Sequence, residues 1–262
     1  MKLRHRVRGN PDGPPIVFLH GGSFTGRMWL DIADMLPEFH SIIPDLPGHG
    51  KSADRCLTSL EQAADDIADL IRTLFEDRPV HLIGLSFGGY ASLHLLIRHP
   101  DLIKRAMISG VHAGSMPNPK LMILATTLSS PLMRFRWFRK KMIKMMGLDD
   151  YSLASDTEGR ANATPKTMRK VGKLAVEFDV RKQISEIATP TLLLAGTKEH
   201  PMILDDLPFF QSAMKNCRSM RVPGMGHGWC GEDPALFAET VRAWLNQKTL
   251  PKVLEPIRSK DT

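Results

Sequence analysis

The sequence predicts an α/β fold, a mainly parallel sheet with helices on either side, broken once by a helical insertion. Three observations lead there. Short apolar runs bounded by Pro, Gly and polar residues recur along the chain, each apolar on both faces as a buried parallel strand must be. Stretches with a three-to-four-residue apolar repeat lie between them, as helices packed against such a sheet require. The alternation stops after Val111 and resumes at Pro190, with a segment of different composition in between.

In chain order, Pro14 to His20 is the first buried run and ends in Gly21-Gly22, a strand entering a tight loop. Runs at His40–Pro44, Pro79–Gly84, Arg105–Val111 and Thr191–Gly196 follow, with Ser219–Val222 as a weaker sixth. A helix is expected from the capping-box spacing of Thr58-Ser59-Leu60-Glu61, with Leu60, Ala64, Ile67, Ile71 and Leu74 along its buried face. Ser86–His99 and Pro234–Trp244 read as further helices. This divides the chain into a core of residues 1–111 and 186–247, a helical cap at 112–185, and a tail at 248–262 expected to be loosely held.

Composition narrows the function classes. The chain has 262 residues, 42% hydrophobic and 24% charged, enough apolar side chain for one large core. Its longest apolar run, Leu121–Ala125, is far short of the roughly 20 residues that cross a bilayer. The basic start Met1–Arg6 leads to Gly9-Asn10-Pro11-Asp12 and not to an apolar signal core, so a cytoplasmic location is expected. Three widely spaced cysteines, Cys56, Cys217 and Cys230, fit reduced thiols, with neither a disulfide framework nor a structural metal. The formal charge of +7 is local, because residues 112–182 hold fourteen Lys and Arg against six acids. Few aromatics accompany these charges and no nucleic-acid-binding fold is recognised, so nucleic acid is not expected as a partner. Solvated helix faces are one reading of this basic segment, and weak membrane-surface contact by Met122 to Met146 is the other.

The chemistry centres on Gly84-Leu85-Ser86-Phe87-Gly88-Gly89, a G-x-S-x-G pattern between a predicted buried strand and a predicted helix. Such a serine occupies a strained turn where flanking glycines remove clashing Cβ atoms, and the following helix points its amides at charge formed above Ser86. A serine hydroxyl needs a base, and histidine is the side chain suited to that role. Of ten histidines, His227 alone sits in a glycine-rich loop between the last strand and the last helix. His81, His94, His99, His5 and His40 fall at positions more typical of packing or surface, and His20 is read as structural. Glu199, in the loop after the Thr191–Gly196 strand, is the candidate carboxylate that orients the imidazole, with Asp205 and Asp206 as alternatives nearby. The oxyanion hole is expected from the backbone amides of Phe87 and Gly22, with Ser23 as the alternative to Gly22. No cofactor is expected.

His20-Gly21-Gly22, the segment Pro44 to Ser52 (PDLPGHGKS), Gly84–Gly89 and the Gly226-His227 loop together resemble the α/β-hydrolase superfamily, specifically its single-chain, lid-bearing bacterial members, from about Pro14 to Leu245. The resemblance implies the α/β-hydrolase fold, a mostly parallel eight-stranded sheet with a helical lid between the sixth and seventh strands. The chain order Ser86, Glu199, His227 is that of the superfamily, although aspartate is the usual acid. A serine nucleophile argues against the dehalogenase and epoxide-hydrolase subgroups, whose carboxylate nucleophile forms an ester at an alkyl carbon.

Three functions compete. The first is a serine hydrolase forming an acyl-enzyme on a small or medium carboxylic ester, lactone or thioester. The second is a carbon–carbon bond hydrolase or lyase acting on a carboxylate-bearing substrate, of the meta-cleavage-product hydrolase or menaquinone-pathway synthase type. The third is a non-catalytic ligand receptor with the same fold. Seven of the fifteen methionines fall in the insertion, and Met122, Met133, Met142 and Met146, with Ser23, are candidate walls of an adaptable pocket.

Overall fold

The computed structural model describes residues 2–22, 24–76, 78–120, 124, 137 and 164–257. Eight strands form one sheet: β1 His5–Gly9, β2 Pro15–Leu19, β3 His40–Pro44, β4 Val80–Leu85, β5 Ile103–Ser109, β6 Thr191–Gly196, β7 Cys217–Val222 and β8 Glu255–Pro256. Their order is β1-β3-β2-β4-β5-β6-β7-β8. The central strands β3 to β7 in that order are parallel, and β1 and β8 close the two edges antiparallel. Both edge strands were absent from the sequence reading. β1 alternates charged and apolar residues and is largely exposed, and β8 spans two residues, one of them a proline.

Strands β2, β4 and β6 are buried at every position. Their neighbours on one face are α2 (Leu60–Phe75), α3 (Phe87–Arg98) and α5 (Pro201–Ala213). On the other face lie α1 (Leu30–Asp34), α6 (Trp229–Glu232) and α7 (Pro234–Leu245). A chain of rings fixes that second layer, with centroids 5.5 Å apart for Phe18–Trp29, 5.4 Å for Trp29–Phe237 and 4.6 Å for Trp229–Phe237. Each such pair contributes about 0.5–1.5 kcal/mol beyond its buried area.

Helix boundaries follow the side-chain chemistry closely. α2 starts one residue later than the expected box: Ser59 accepts from the Gln62 amide, and Gln62 reaches back to accept from the Thr58 amide at 3.1 Å. Phe75, not Leu74, closes its buried face. The described part of the tail, residues 248–257, is not loose. Leu250, Leu254 and Ile257 are buried, and β8 pairs with β7 through Met220 and Arg221.

The segment inserted in the sheet lies between β5 and β6 of this chain, not between a sixth and seventh strand, because five strands precede it and three follow. Its described helix, α4 (Pro165–Glu177), is capped by Thr164, whose hydroxyl accepts from the Thr167 amide. Phe178 then plugs the core, its ring 4.4 Å from Tyr90 and 5.6 Å from His94. The two chain crossings into this segment are tied together. Val180 N–H donates to Ala113 C=O at 2.9 Å, while Asp206 accepts from Ala113 N–H at 2.6 Å and from Arg181 at 2.9 Å. Asp206→Ala would strand the buried Ala113 N–H, and we expect a stability loss of about 1–3 kcal/mol in urea unfolding. An unchanged midpoint would contradict this.

Candidate active site

Parallel register brings the C-terminal ends of five strands to one edge, with Leu19 beside Gly84, Leu85 beside Ser109, Ser109 beside Leu194 and Gly196 beside Val222. The loops that follow carry Gly22, Ser86, Gly110, Glu199 and His227. Ser86 stands at the turn from β4 to α3 with φ 55° and ψ −118°, a left-handed strained backbone for a residue with a side chain. Gly88 makes this turn feasible, because a Cβ there would collide with the Leu19 carbonyl. Ser86 N–H donates to Ser109 C=O at 2.9 Å, which fixes the turn against the end of β5.

Glu199 and His227 meet. Nδ1 of His227 lies 2.7 Å from Glu199 Oε2, and the Glu199 side chain is wholly buried. The two loops are held together by main chain, Lys198 N–H donating to Met225 C=O at 2.9 Å. Two residues beyond His227, Trp229 Nε1 donates to Ser109 Oγ at 2.8 Å and anchors the histidine loop to the same β5 end that holds Ser86. Asp205 is exposed, and Asp206 is engaged by Ala113 and Arg181, so neither alternative acid is directed at the imidazole.

Gly110, at φ +71°, is the residue that sequence reasoning missed. A Cβ at this position would lie 2.7 Å from His227 Cε1 and 3.3 Å from Glu199 Oε1. The glycine thus leaves the volume in which imidazole and carboxylate pair. The available signal was its place directly after a buried strand, where an acid could have stood.

The His227 pKa is displaced upward. Burial of the ring would lower it, but the Glu199 charge and hydrogen bond together outweigh burial. A base of this kind is active when neutral, so kcat/KM should fall toward acid along a limb centred above the ordinary histidine value of 6.5. Initial rates across pH check this, and a midpoint below that value would show that burial prevails.

Gly22 lies beside Phe87, its missing Cβ 3.2 Å from Phe87 Cβ, and a Cβ on Gly21 would lie 3.8 Å from Ser86 Cβ. The loop that carries Gly21 and Gly22 therefore lies against Ser86 and Phe87. His20 fixes the loop: its Nδ1–H donates to Gly21 C=O at 2.8 Å and its Nε2 accepts from Leu46 N–H at 2.9 Å. The Gly21 carbonyl belongs to the peptide whose N–H is that of Gly22. Burial and the neighbouring His49 lower the His20 pKa to about 3, so the ring stays neutral as this bonding requires. From the Pro44–Ser52 segment, buried Asp45 accepts from the Gly26 and Lys51 amides and from Arg6. His49 places Nε2 2.9 Å from Gly22 C=O.

Among the other histidines, His81 is buried in β4, and burial with nearby Lys104 and Arg105 lowers its pKa to about 4. His99 contacts Asp65 at 2.8 Å on the surface. Ser23, Met122, Met133, Met142 and Met146 lie outside the described residues. Among the described residues there is no His, Cys, Asp and Glu grouping able to hold a metal ion, and no helix long and apolar enough to cross a membrane.

Comparison with known proteins gives a consistent frame. The alpha/beta hydrolase family model matches residues 16–240. An AB hydrolase superfamily protein of Gibberella zeae is 26% identical over 262 residues, covering 95% of this chain and 86% of its own length. The 2-succinyl-6-hydroxy-2,4-cyclohexadiene-1-carboxylate synthase of Enterobacter sp. strain 638 is 30% identical over 253 residues, covering 91% of this chain and 94% of that protein. The crystal structure of an alpha/beta hydrolase enzyme from a Medee basin deep-sea metagenome library superposes with a TM-score of 0.80 at 19% identity, covering 95% of this chain and 96% of that one.

Proposed function

The chain belongs to the alpha/beta hydrolase family, and from that premise we propose that it is a serine hydrolase that cleaves a small or medium carboxylic ester, lactone or thioester through an acyl-enzyme on Ser86. The observation that carries this is the pairing of His227 Nδ1 with Glu199 Oε2 at 2.7 Å on the sheet edge where Ser86 occupies its strained turn. With Nδ1 held by the carboxylate, Nε2 is the nitrogen left to take the hydroxyl proton.

In the proposed cycle, Ser86 Oγ attacks the substrate carbonyl carbon and His227 receives the proton. The carbonyl oxygen becomes an oxyanion that the Gly22 and Phe87 amides stabilise, helped by the N-terminus of α3. The tetrahedral intermediate collapses, the bond to the leaving alcohol or thiol breaks, and His227 returns the proton to it. Water, deprotonated by the same imidazole, then attacks the acyl-serine and releases the acid. No cofactor enters these steps.

Release of p-nitrophenol from short acyl esters, together with a lactone and thioester panel, tests the reading. Turnover by the wild-type protein that disappears in Ser86→Ala supports it. Turnover that survives in Ser86→Ala contradicts it.

A second reading, an elimination or carbon–carbon cleavage on a carboxylate-bearing substrate, is favoured by the likeness to the carboxylate synthase over nearly the whole of both chains. In an elimination Ser86 would act as a base and no acyl-serine would form. Recovery of acyl-Ser86 peptide after acid quench separates the two.

A further inference from the structure

Helix α4 rests on two glycines of two different loops. Thr167 and Val171, one turn apart on a single helix face, sit where side chains at Gly48 and Gly22 would otherwise project. A Cβ on Gly48 would lie 2.9 Å from Thr167 Cγ2, and one on Gly22 would run into Val171 Cγ1. Val171 is buried, and Leu174 and Ala175 continue the packed face toward Phe178. By contrast Gly172, on the side of α4 facing away, has nothing within 4 Å of its Cβ position.

Gly22 is thus flanked by Phe87, which shares the expected oxyanion site, and by Val171 from the inserted segment. The wall beside that site is not built by the loop that supplies the amide. It is built by the helix above.

We propose that Val171 is a specificity-determining residue, which fills the space left by the absent side chain at Gly22 and limits the size of the acyl group next to the Gly22 and Phe87 amides. The inference rests on the serine-hydrolase reading. A smaller residue at 171 opens room directly beside the substrate carbonyl, whereas a side chain at 22 competes with Val171 for one volume. The two positions should therefore be coupled.

The test measures how fast Ser86 is modified by ethyl and octyl fluorophosphonates, in which the Oγ–P bond forms as the P–F bond breaks and fluoride leaves. Val171→Ala is expected to raise the octyl-to-ethyl rate ratio by roughly tenfold, the scale of one or two hydrophobic contacts in a pocket. Gly22→Ala should slow both probes by about tenfold or more, and Gly22→Ala combined with Val171→Ala should recover most of that loss. Gly172→Ala, pointing into open space, should leave rates and ratio unchanged. Circular dichroism melts establish that each variant is folded, and Val171→Ala carries the test if Gly22→Ala is not.

An unchanged ratio in folded Val171→Ala, or a double variant no better than Gly22→Ala, overturns the proposal while the serine-hydrolase reading stands. Failure of both probes to modify Ser86 in the wild-type protein overturns that reading, and this inference with it.

Discussion

Ser86→Ala and His227→Ala are each expected to reduce kcat by roughly 10⁴-fold or more while leaving the fold intact, and the double variant should be little worse than either. The reason is mechanical. Removing the hydroxyl leaves the imidazole without a proton to take, and removing the imidazole leaves a hydroxyl that is not nucleophilic at neutral pH. Neither residue supports the sheet: Ser86 is anchored through its backbone to Ser109, and the His227 loop is held by Trp229 and by the Met225 carbonyl. A thermal melt close to wild type is therefore expected for Ser86→Ala, and a folded protein with a lower melting temperature for His227→Ala, which leaves the buried Glu199 carboxylate without its imidazole partner. Multiplying effects in the double variant would mean that the two residues act independently, and the shared step would be wrong.

The next largest effect is expected at Glu199. Glu199→Gln keeps the shape and can still accept from Nδ1–H, but it removes the charge that stabilises the imidazolium, so kcat should fall on the order of 10² to 10⁴-fold. It should also move the pH profile. With the Glu199 charge gone, less opposes the effect of burial on the His227 ring, and the acid limb should shift downward from its wild-type position. Steady-state rates across pH for both proteins measure the two effects together. Near-wild-type activity in Glu199→Gln, with a large loss in Asp206→Asn, would transfer the role to the acid that here accepts from Ala113 and Arg181.

Much of the sheet was legible because β2, β4 and β6 are buried on both faces and so read as unbroken apolar runs. The edge strands were not, for the same physical reason reversed: β1, with Arg6 and Arg8, needs only one partner and carries little apolar signal. Ser86, His227 and Glu199 could be read because each stands on a loop that a parallel sheet must deliver to one edge. Gly110 could not. Its importance is a volume shared with His227 and Glu199, and a local sequence pattern carries no information about which distant side chains occupy a given space. The same holds for Val171 over Gly22, and for Asp206, which looked like a spare acid near the site and instead bonds the chain where it leaves the core. The tail misled because its prolines and charges suggest a free terminus, whereas Leu250, Leu254 and Ile257 are spaced to bury against the sheet edge.

The central claim is that Ser86 is a nucleophile activated by the Glu199–His227 pair. Its most direct test is treatment of the folded protein with a fluorophosphonate, followed by intact mass and peptide mapping. The expected result is a single adduct on the peptide containing Ser86, absent from Ser86→Ala and formed much more slowly in His227→Ala. An unlabelled wild-type protein, or an adduct that persists in Ser86→Ala, would contradict the assignment.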